Sequence, residues 1–485
     1  EERGYFHWAD WLVFALMLAV SAAAGLWHYK GAQKSSTEDY LLGGKSMTLL
    51  PVSASLVASF ISGVTILGTP AEIYNFGTQY WITIISILFS GLVVALVYAP
   101  VFVALGLNSV YEGGIKAVVW TDALQVGIMV AGVLTVSILG TYQIGAAEIW
   151  KRSLDANRIE FLNFDPSPYT RHTVWTVLIG SWLYSTAYIS VNQTMVQRYR
   201  SLKDLKTSKL SLAIFTISIM LFISLCCWCG LVLVAWWSPP KCDPRASGLI
   251  TADDQLLPAY VMEIAKHLHG VPGLFIAAIF GAALSTLSVG FNSTSVVVLE
   301  DFVKGCFGMK PSDRCSFIFV KCLVVLLGCI AIGLLFLVEK LGGVLVITGS
   351  LAAIAAGTSF GVFTLGMFFP WVNSKGAFMG AIVGFVIAGW ASLGANWSIG
   401  AGLLVPKKLP VLFSHCQGNI SESFLNEDDV FPLYRLSYHW FTGLGTLIVI
   451  IVGNFISWWT GPTDVSSIDK KLLSPMIHST IYNLF

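Results

Sequence analysis

Charged side chains are scarce in this sequence. Asp, Glu, Lys and Arg make up 11% of 485 residues and the net charge is +1, so the clustered basic surface that grips nucleic acid is missing. A zinc helix of the His-Glu-x-x-His type is absent, as are a mid-span pair of aspartates and a nucleophile beside a base. Those absences argue against a membrane-embedded enzyme. Rings of like charge and repeated filter loops are also missing, which argues against a channel. The nine cysteines suggest no metal site. Cys226, Cys227 and Cys229 share one apolar run with no His or carboxylate to complete a ligand set, and they read as packing. Neither an initiator Met nor a cleavage site precedes the first loop. The first apolar run is therefore expected to be a permanent span rather than a leader, in a chain trimmed at its start.

What the sequence does have is hydrophobicity: 55% of its residues are apolar or aromatic, including 17 Trp. Runs of about 20 apolar residues read as membrane spans, and about eleven are found, near 8–28, 48–76, 80–106, 116–141, 172–197, 210–237, 272–300, 316–338, 342–371, 376–396 and 435–459. The chain is expected to be one all-α polytopic transmembrane domain over residues 1–485. The basic stretch Arg198–Lys209 and the group Lys304, Lys310 and Arg314 place those ends in the cytoplasm. Lys30, Lys34 and Lys45 then lie inside and the N-terminus outside. The loop 146–171, with Lys151, Arg152 and Arg158, falls outside against the trend. The polar loop 397–434 also falls outside, where the sequons at Asn396 and Asn419 can be glycosylated. Cys242 and Cys416 sit in outer loops where a disulfide is chemically allowed, and sequence alone does not pair them. The tail 461–485, with Lys470 and Lys471, is expected in the cytoplasm.

Two of the apolar stretches, 50–76 and 271–299, are interrupted by small hydroxyl and glycine residues: Ser59, Ser62, Gly63 and Thr65 in the first, Gly281, Ser285, Thr286 and Ser288 in the second. Unwound backbone is tolerated in hydrocarbon only where it lines a cavity, so the pair suggests neutral oxygens gathered around an ion near the midplane. Close helix packing is the other reading of the same residues. A proton-driven carrier needs titratable groups within the membrane. Only Asp122 lies well inside a span, with Asp10, Glu72 and Glu300 toward ends, and every His is in a loop or near a span end. Sodium is the better coupling ion.

Several ordered segments carry a family likeness. The run Leu56–Tyr74, the triplet Trp120-Thr121-Asp122, the pair Val191-Asn192-Gln193 and Val196-Gln197-Arg198-Tyr199, and the stretch from Leu284-Ser285-Thr286 to Glu300-Asp301 together resemble the sodium/solute symporter family. The likeness is to its branch of monocarboxylate, multivitamin and iodide carriers. It implies a LeuT-type core of two inverted five-helix repeats with extra helices at both ends. It also implies a sodium site made of the carbonyls of Ala58, Ile61 and Ala282 and the hydroxyls of Ser285 and Thr286. Neutral oxygens suit a hard cation that has to be released on the far side. Asp122 matches a family aspartate linked to sodium passage, or is simply an interfacial residue. Thr65 and Ser185 stand where sugar-carrying relatives have amides, which argues against sugars. Ser62, Thr65 and Ser185, with backbone amides at the unwound point, are candidates to hold a small carboxylate. Tyr188 matches an aromatic inner gate or is packing, and Phe60 makes the pocket drier.

One departure stands out. Relatives pass through two more helices between Leu107-Asn108-Ser109-Val110-Tyr111-Glu112 and the segment that begins Gly113-Gly114-Ile115-Lys116. About 60 residues, a hairpin of two spans, are missing here, and the first repeat keeps three of its five helices. The expectation is a plasma-membrane symporter of sodium and small organic anions, monocarboxylates ahead of vitamins or iodide, with no cofactor and no partner beyond its solutes and the lipid bilayer. Its rival is a non-transporting form disabled by the missing helices.

Overall fold

The computed structural model describes residues 6–32, 47–104, 115–239, 241–341, 344–410 and 430–478, and among these every regular element is helical. Helix α1 spans Trp8–Ala32, α2 Leu49–Phe60, α3 Gly63–Phe76, and α4 runs Thr78–Ala104 through a π-turn at Val94–Tyr98. Then come α5 (Ile115–Ile144), α6 (Ala146–Asp155), α7 (Ser181–Val191, entered through a π-turn at Thr176–Gly180), α8 (Gln193–Arg200) and α9 (Leu205–Trp236). The order ends with α10 (Leu256–Ile264), α11 (Val271–Val297, prolonged by π-turns Val298–Cys306), α12 (Asp313–Leu341), α13 (Val344–Phe368), α14 (Ser374–Gly400) and α15 (Trp440–Thr460). Eight described helices are long and apolar enough to cross a bilayer, and the bent pair α2–α3 makes nine. With α1 and the segment Thr176–Arg200, the described residues supply eleven helical passes in the expected order.

Without water in the hydrocarbon layer each backbone N–H needs an internal acceptor, so a helix can stop inside the membrane only where something else takes over its bonds. Two breaks meet that condition. Helix α2 ends at Ile61 and Ser62, both in extended conformation, and α3 leaves at an angle of 58°. Helix α7 ends at Asn192, also extended, whose side chain accepts from the Thr194 N–H at 2.9 Å and caps α8. The expected second interruption, in 271–299, is not there: α11 is one continuous helix. Its hydroxyls are satisfied without unwinding, since Thr286 donates to the Ala282 carbonyl, Ser288 to Ser285 and Ser295 to Phe291. The second broken pass is Thr176–Arg200.

Helix α9 is the central column, packed on α2, α3, α4 and α5, while α11 packs on α5 and α1. Its neighbour α12 has no buried residue anywhere between Arg314 and Phe336. Helices α13, α14 and α15 form a second group, joined to the first through contacts of α13 with α7. There the backbones touch. A methyl added at Gly380 of α14 would stand 2.8 Å from the Val449 carbonyl oxygen of α15, and one at Gly376 only 2.4 Å from that of Gly453. Glycine at every fourth position lets two helices approach this closely.

Two expected boundaries move. Arg198, counted among the basic residues of a cytoplasmic loop, lies on α8 and is buried. Asn396 falls in the last turns of α14 rather than at the edge of a loop, with its sequon's Ser398 buried and bonded to the Gly394 carbonyl. Asn419 lies outside the described residues, as does the Leu107–Gly114 junction. Cys242 is disulfide-bonded and the other described cysteines are free; Cys416 is outside the described residues.

Replacing Gly380 with Leu is expected to force α14 off α15 and cost at least ~1–3 kcal/mol, read as a lower melting temperature of the purified protein in detergent. The control is Gly127→Leu on α5, where an added Cβ meets nothing within 4 Å; its expected effect stays within about 0.5 kcal/mol.

Candidate functional site

The α2–α3 break frees particular oxygens. In an unbroken helix the Ser62 N–H would bond to the Ala58 carbonyl, and the Thr65 N–H to that of Ile61. Here Ser62 N–H donates instead to Thr65 Oγ1 at 3.3 Å, and the Thr65 N–H to the Ser62 carbonyl at 3.0 Å. Ala58 and Ile61 thus lose their helical donors while staying fully buried. The opposite end of the break has free donors, because the first amides of α3, at Gly63 and Val64, have no acceptor within their own helix. A hard cation and a small anion are suited by these two ends respectively. Thr65 is therefore a cap as well as a candidate substrate contact, and Ser62 is the residue capped.

Tyr188 of α7 donates its hydroxyl to the Ser59 carbonyl at 2.9 Å, and its ring meets Phe60 edge-on at 5.5 Å. It bridges the first broken pass to the second. Ser185, one turn earlier on α7, is buried. On the other side α11 comes alongside, with an added Cβ at Gly63 standing 3.8 Å from Ile279.

One carboxylate ties these helices together. Asp122 of α5 is fully buried. Its Oδ2 accepts from Ser55 of α2 at 2.6 Å and from the Arg198 guanidinium of α8 at 2.9 Å, and its Oδ1 accepts from Ser285 of α11 at 2.7 Å. Arg198 also donates to Ser55 Oγ at 2.5 Å and to the Thr194 carbonyl at 2.5 Å. Of the expected sodium ligands, Ser285 is thus gathered with Asp122, whereas Thr286 turns its hydroxyl back to its own helix at Ala282. The sequence reading named Asp122 and Ser285 separately and missed Ser55 and the role of Arg198. The available signal was a lone mid-span carboxylate, which needs a cation or several donors when buried.

A second polar cluster closes the other end of α3. Glu72 takes both prongs of Arg171 at 2.7 and 3.1 Å, and His172 Nε2 lies 2.9 Å from the same carboxylate. Arg171 also lies against the rings of Phe76 and Tyr438. His439, just before α15, faces the Ser181 hydroxyl at 3.0 Å and His172 at 5.7 Å between ring centroids. Burial holds both imidazoles below their ordinary basicity, and at His439 the neighbouring His172 adds to it. Nearby, the guanidinium of Arg158 is spent on the carbonyls of Tyr74, Ala156, Leu409 and Pro410. Arg152 pairs with Glu148. Two of the three basic residues that ran against the charge trend are therefore engaged by the folded protein.

The sequence pattern of the sodium:solute symporter family matches residues 40–112 and 101–384, most of the chain. The chain belongs to the sodium:solute symporter family. This symporter is similar to the sodium-coupled monocarboxylate transporter 1 of Mus musculus, with 34% identity over 546 aligned positions, 95% of this chain and 88% of that protein. It is also similar to the human sodium/iodide cotransporter, at 31% identity over 97% of this chain and 86% of that protein. Its fold matches a solved Na+-coupled sialic acid symporter in a substrate-bound outward-open state, with a TM-score of 0.72 and 19% identity, over 95% of this chain and 100% of that one. The protein is a sodium-coupled solute symporter with a LeuT-like core. Since 95% of 485 residues is about 461, about 85 of the 546 aligned positions have no residue here. The family match itself is split in two at residues 101–112. Both facts agree with the loss of a two-helix hairpin after Glu112.

Two outcomes follow. Thr65→Val removes the acceptor of the Ser62 N–H and is expected to cost ~1 kcal/mol of stability, measured by thermal melting. The Glu72 cluster is expected to be pH-sensitive. A folded-state pKa below the ordinary 6.5 of His means the contribution is complete above that pH and is lost as pH falls toward the folded value, because the opened state binds more protons. Hydrogen-exchange protection at Glu72, Arg171, Tyr80 and Tyr438, after division by the intrinsic exchange rate at each pH, should fall between about pH 7 and about pH 5, and the double variant His172→Gln/His439→Gln should flatten that fall.

Proposed function

We propose that the chain carries small monocarboxylates, of the lactate, pyruvate or nicotinate kind, into cells with sodium across the plasma membrane. Its N-terminus and the loop 397–434 lie outside, and the tail 461–485 inside. The single observation that carries the reading is the α2–α3 break, which leaves buried carbonyls at Ala58 and Ile61 without their helical donors and the first amides of α3, at Gly63 and Val64, without an acceptor in their own helix. The names of the similar transporters support the same choice of solute. Sodium is held by those two carbonyls with Ala282, Ser285 and Thr286. The carboxylate of the solute meets the first turn of α3, with Ser62, Thr65 and Ser185 around it and Tyr188 closing the inner side.

In this mechanism Asp122 orients the ligands. Ser285 donates its proton to Asp122 and Thr286 to the Ala282 carbonyl, which leaves the lone pairs of both hydroxyl oxygens available to sodium. Ser55 and Arg198 hold the carboxylate from the other side. One sodium carried with one monocarboxylate moves no net charge, so a tenfold sodium gradient alone supplies about 1.4 kcal/mol, enough for about tenfold accumulation. Each further sodium adds that amount again together with ~2.3 kcal/mol per 100 mV. Multivitamin or iodide transport is the alternative within the family.

A specific observation also favours a second reading, an inserted but non-transporting form: α12 has no buried residue between Arg314 and Phe336. A rocking bundle needs a rigid partner, and the helices missing after Glu112 remove part of it.

Uptake by transfected cells of lactate, nicotinate, biotin and iodide, in sodium and with choline in its place, separates these readings. Saturable, sodium-dependent uptake of lactate and nicotinate is expected. Uptake of biotin or iodide alone would move the substrate within the family, and no sodium-dependent uptake at comparable surface expression would leave the inert form. Where transport is present, Ser285→Ala/Thr286→Ala should raise the half-saturating sodium concentration at least about tenfold, or ~1.4 kcal/mol; an unchanged value contradicts the sodium site.

A further inference from the structure

The cysteines divide sharply by position. Cys226, Cys227 and Cys229 are buried in α9, and Cys242 is already disulfide-bonded. Cys322 and Cys329 are exposed on α12 but lie about 10 and about 20 Å along it from Cys315, at a rise of ~1.5 Å per residue. That puts them deep in the hydrocarbon layer, beyond the reach of a water-soluble cosubstrate. Among the described cysteines, Cys306 and Cys315 remain. Both are exposed, and they flank the hairpin between α11 and α12, Cys306 at the end of the π-turns and Cys315 in the first turn of α12.

The hairpin itself is built like an interfacial wedge. Phe302, Phe307 and Met309 are 54%, 71% and 58% exposed, an apolar cluster that water alone would not favour at the end of a helix. Lys310 and Arg314 follow it in the chain, suited to anionic headgroups, while Lys304 pairs with Glu300. Beyond Cys315 no residue of α12 up to Phe336 is fully buried, and Ile318, Val325, Leu326, Ile332 and Leu335 are exposed, so a chain attached there has an open helix face along which to enter lipid.

We propose that Cys306 and Cys315 are S-acylation sites for long-chain fatty acyl groups. The thiol sulfur attacks the carbonyl carbon of an acyl-coenzyme A. A carbon–sulfur thioester bond forms to the cysteine, the thioester bond to coenzyme A breaks, and coenzyme A leaves as the free thiol carrying the proton. The oxidation state does not change. Juxtamembrane cysteines beside basic and apolar residues are the usual acceptors of this reversible modification. Its effect is to anchor the α11–α12 hairpin to the bilayer on the side where α12 lacks a protein neighbour. The inference rests on the cytoplasmic placement of the hairpin proposed above from its basic residues.

The test uses the full chain expressed in mammalian cells. Free thiols are blocked, thioesters are cleaved with hydroxylamine, and the released thiols are tagged with a maleimide polymer that shifts the band. Two hydroxylamine-dependent shifts are expected for the unaltered chain, one each for Cys306→Ser and Cys315→Ser, and none for the double variant, while Cys322→Ser/Cys329→Ser keeps both. No hydroxylamine-dependent shift in the unaltered chain, or shifts that survive in the double variant, overturns the proposal. Side of the membrane is read separately, by labelling hydroxylamine-treated membranes and intact cells with an impermeant maleimide. Labelling of Cys306 or Cys315 in intact cells would sink the assigned orientation, and with it this proposal. Protection in intact cells without acylation would sink the acylation alone.

Discussion

The structure depends on one buried carboxylate. Asp122 draws donors from α2, α8 and α11 while sitting on α5, and it is fully out of water. Removing a charge from water costs several kcal/mol, which a partner offsets only with good geometry and with its other lone pairs satisfied. Here both oxygens are occupied, one by Ser285 and the other by Ser55 and Arg198. Loss of any one donor leaves the charge partly uncompensated, so the four helices are held in a single register. Two of them, α2 and α11, bear the residues proposed to hold sodium. A cation arriving there meets the oxygen lone pairs of the same hydroxyl whose proton steadies Asp122, which couples ion binding to helix position.

The two breaks are local solutions to one backbone problem solved by different side chains. At Ser62 a threonine hydroxyl takes the orphaned N–H, and at Asn192 an amide oxygen does so. Tyr188 then joins the broken passes through the Ser59 carbonyl. The hairpin loss acts elsewhere. These contacts are all present in the chain without that hairpin, and α12, which packs on α11, has no fully buried residue between Arg314 and Phe336. At the far end of α3, Glu72 with Arg171 and His172 fastens that helix to the segment leading into α7, and His439 brings in α15.

The spans were legible because their signal is compositional: about 20 apolar residues suffice to cross a bilayer, and ordered motifs fixed the family. The break at Ser62 was legible too, since Ser59, Ser62, Gly63 and Thr65 cluster inside one run. The break at Asn192 was misplaced onto Ser285 and Thr286. Hydroxyl residues in a helix look alike whether they interrupt it or donate to carbonyls one turn back, and only the partners distinguish them. Arg198 was hidden by its position at the edge of a basic stretch, where charge counting treats every residue as solvated. Pairing it with Asp122 spans 76 positions, and periodicity carries no information over that distance.

A double-mutant cycle at Asp122 and Arg198 tests the central claim most directly, because it needs folded protein but no transport. Thermal or denaturant stability of the purified chain is measured for Asp122→Ala, Arg198→Ala and both together. If the carboxylate is held as described, each single change costs ~3–5 kcal/mol, and the double change costs clearly less than their sum, since neither charge is left alone. Additive losses, or single changes within about 0.5 kcal/mol of the unaltered protein, would contradict it.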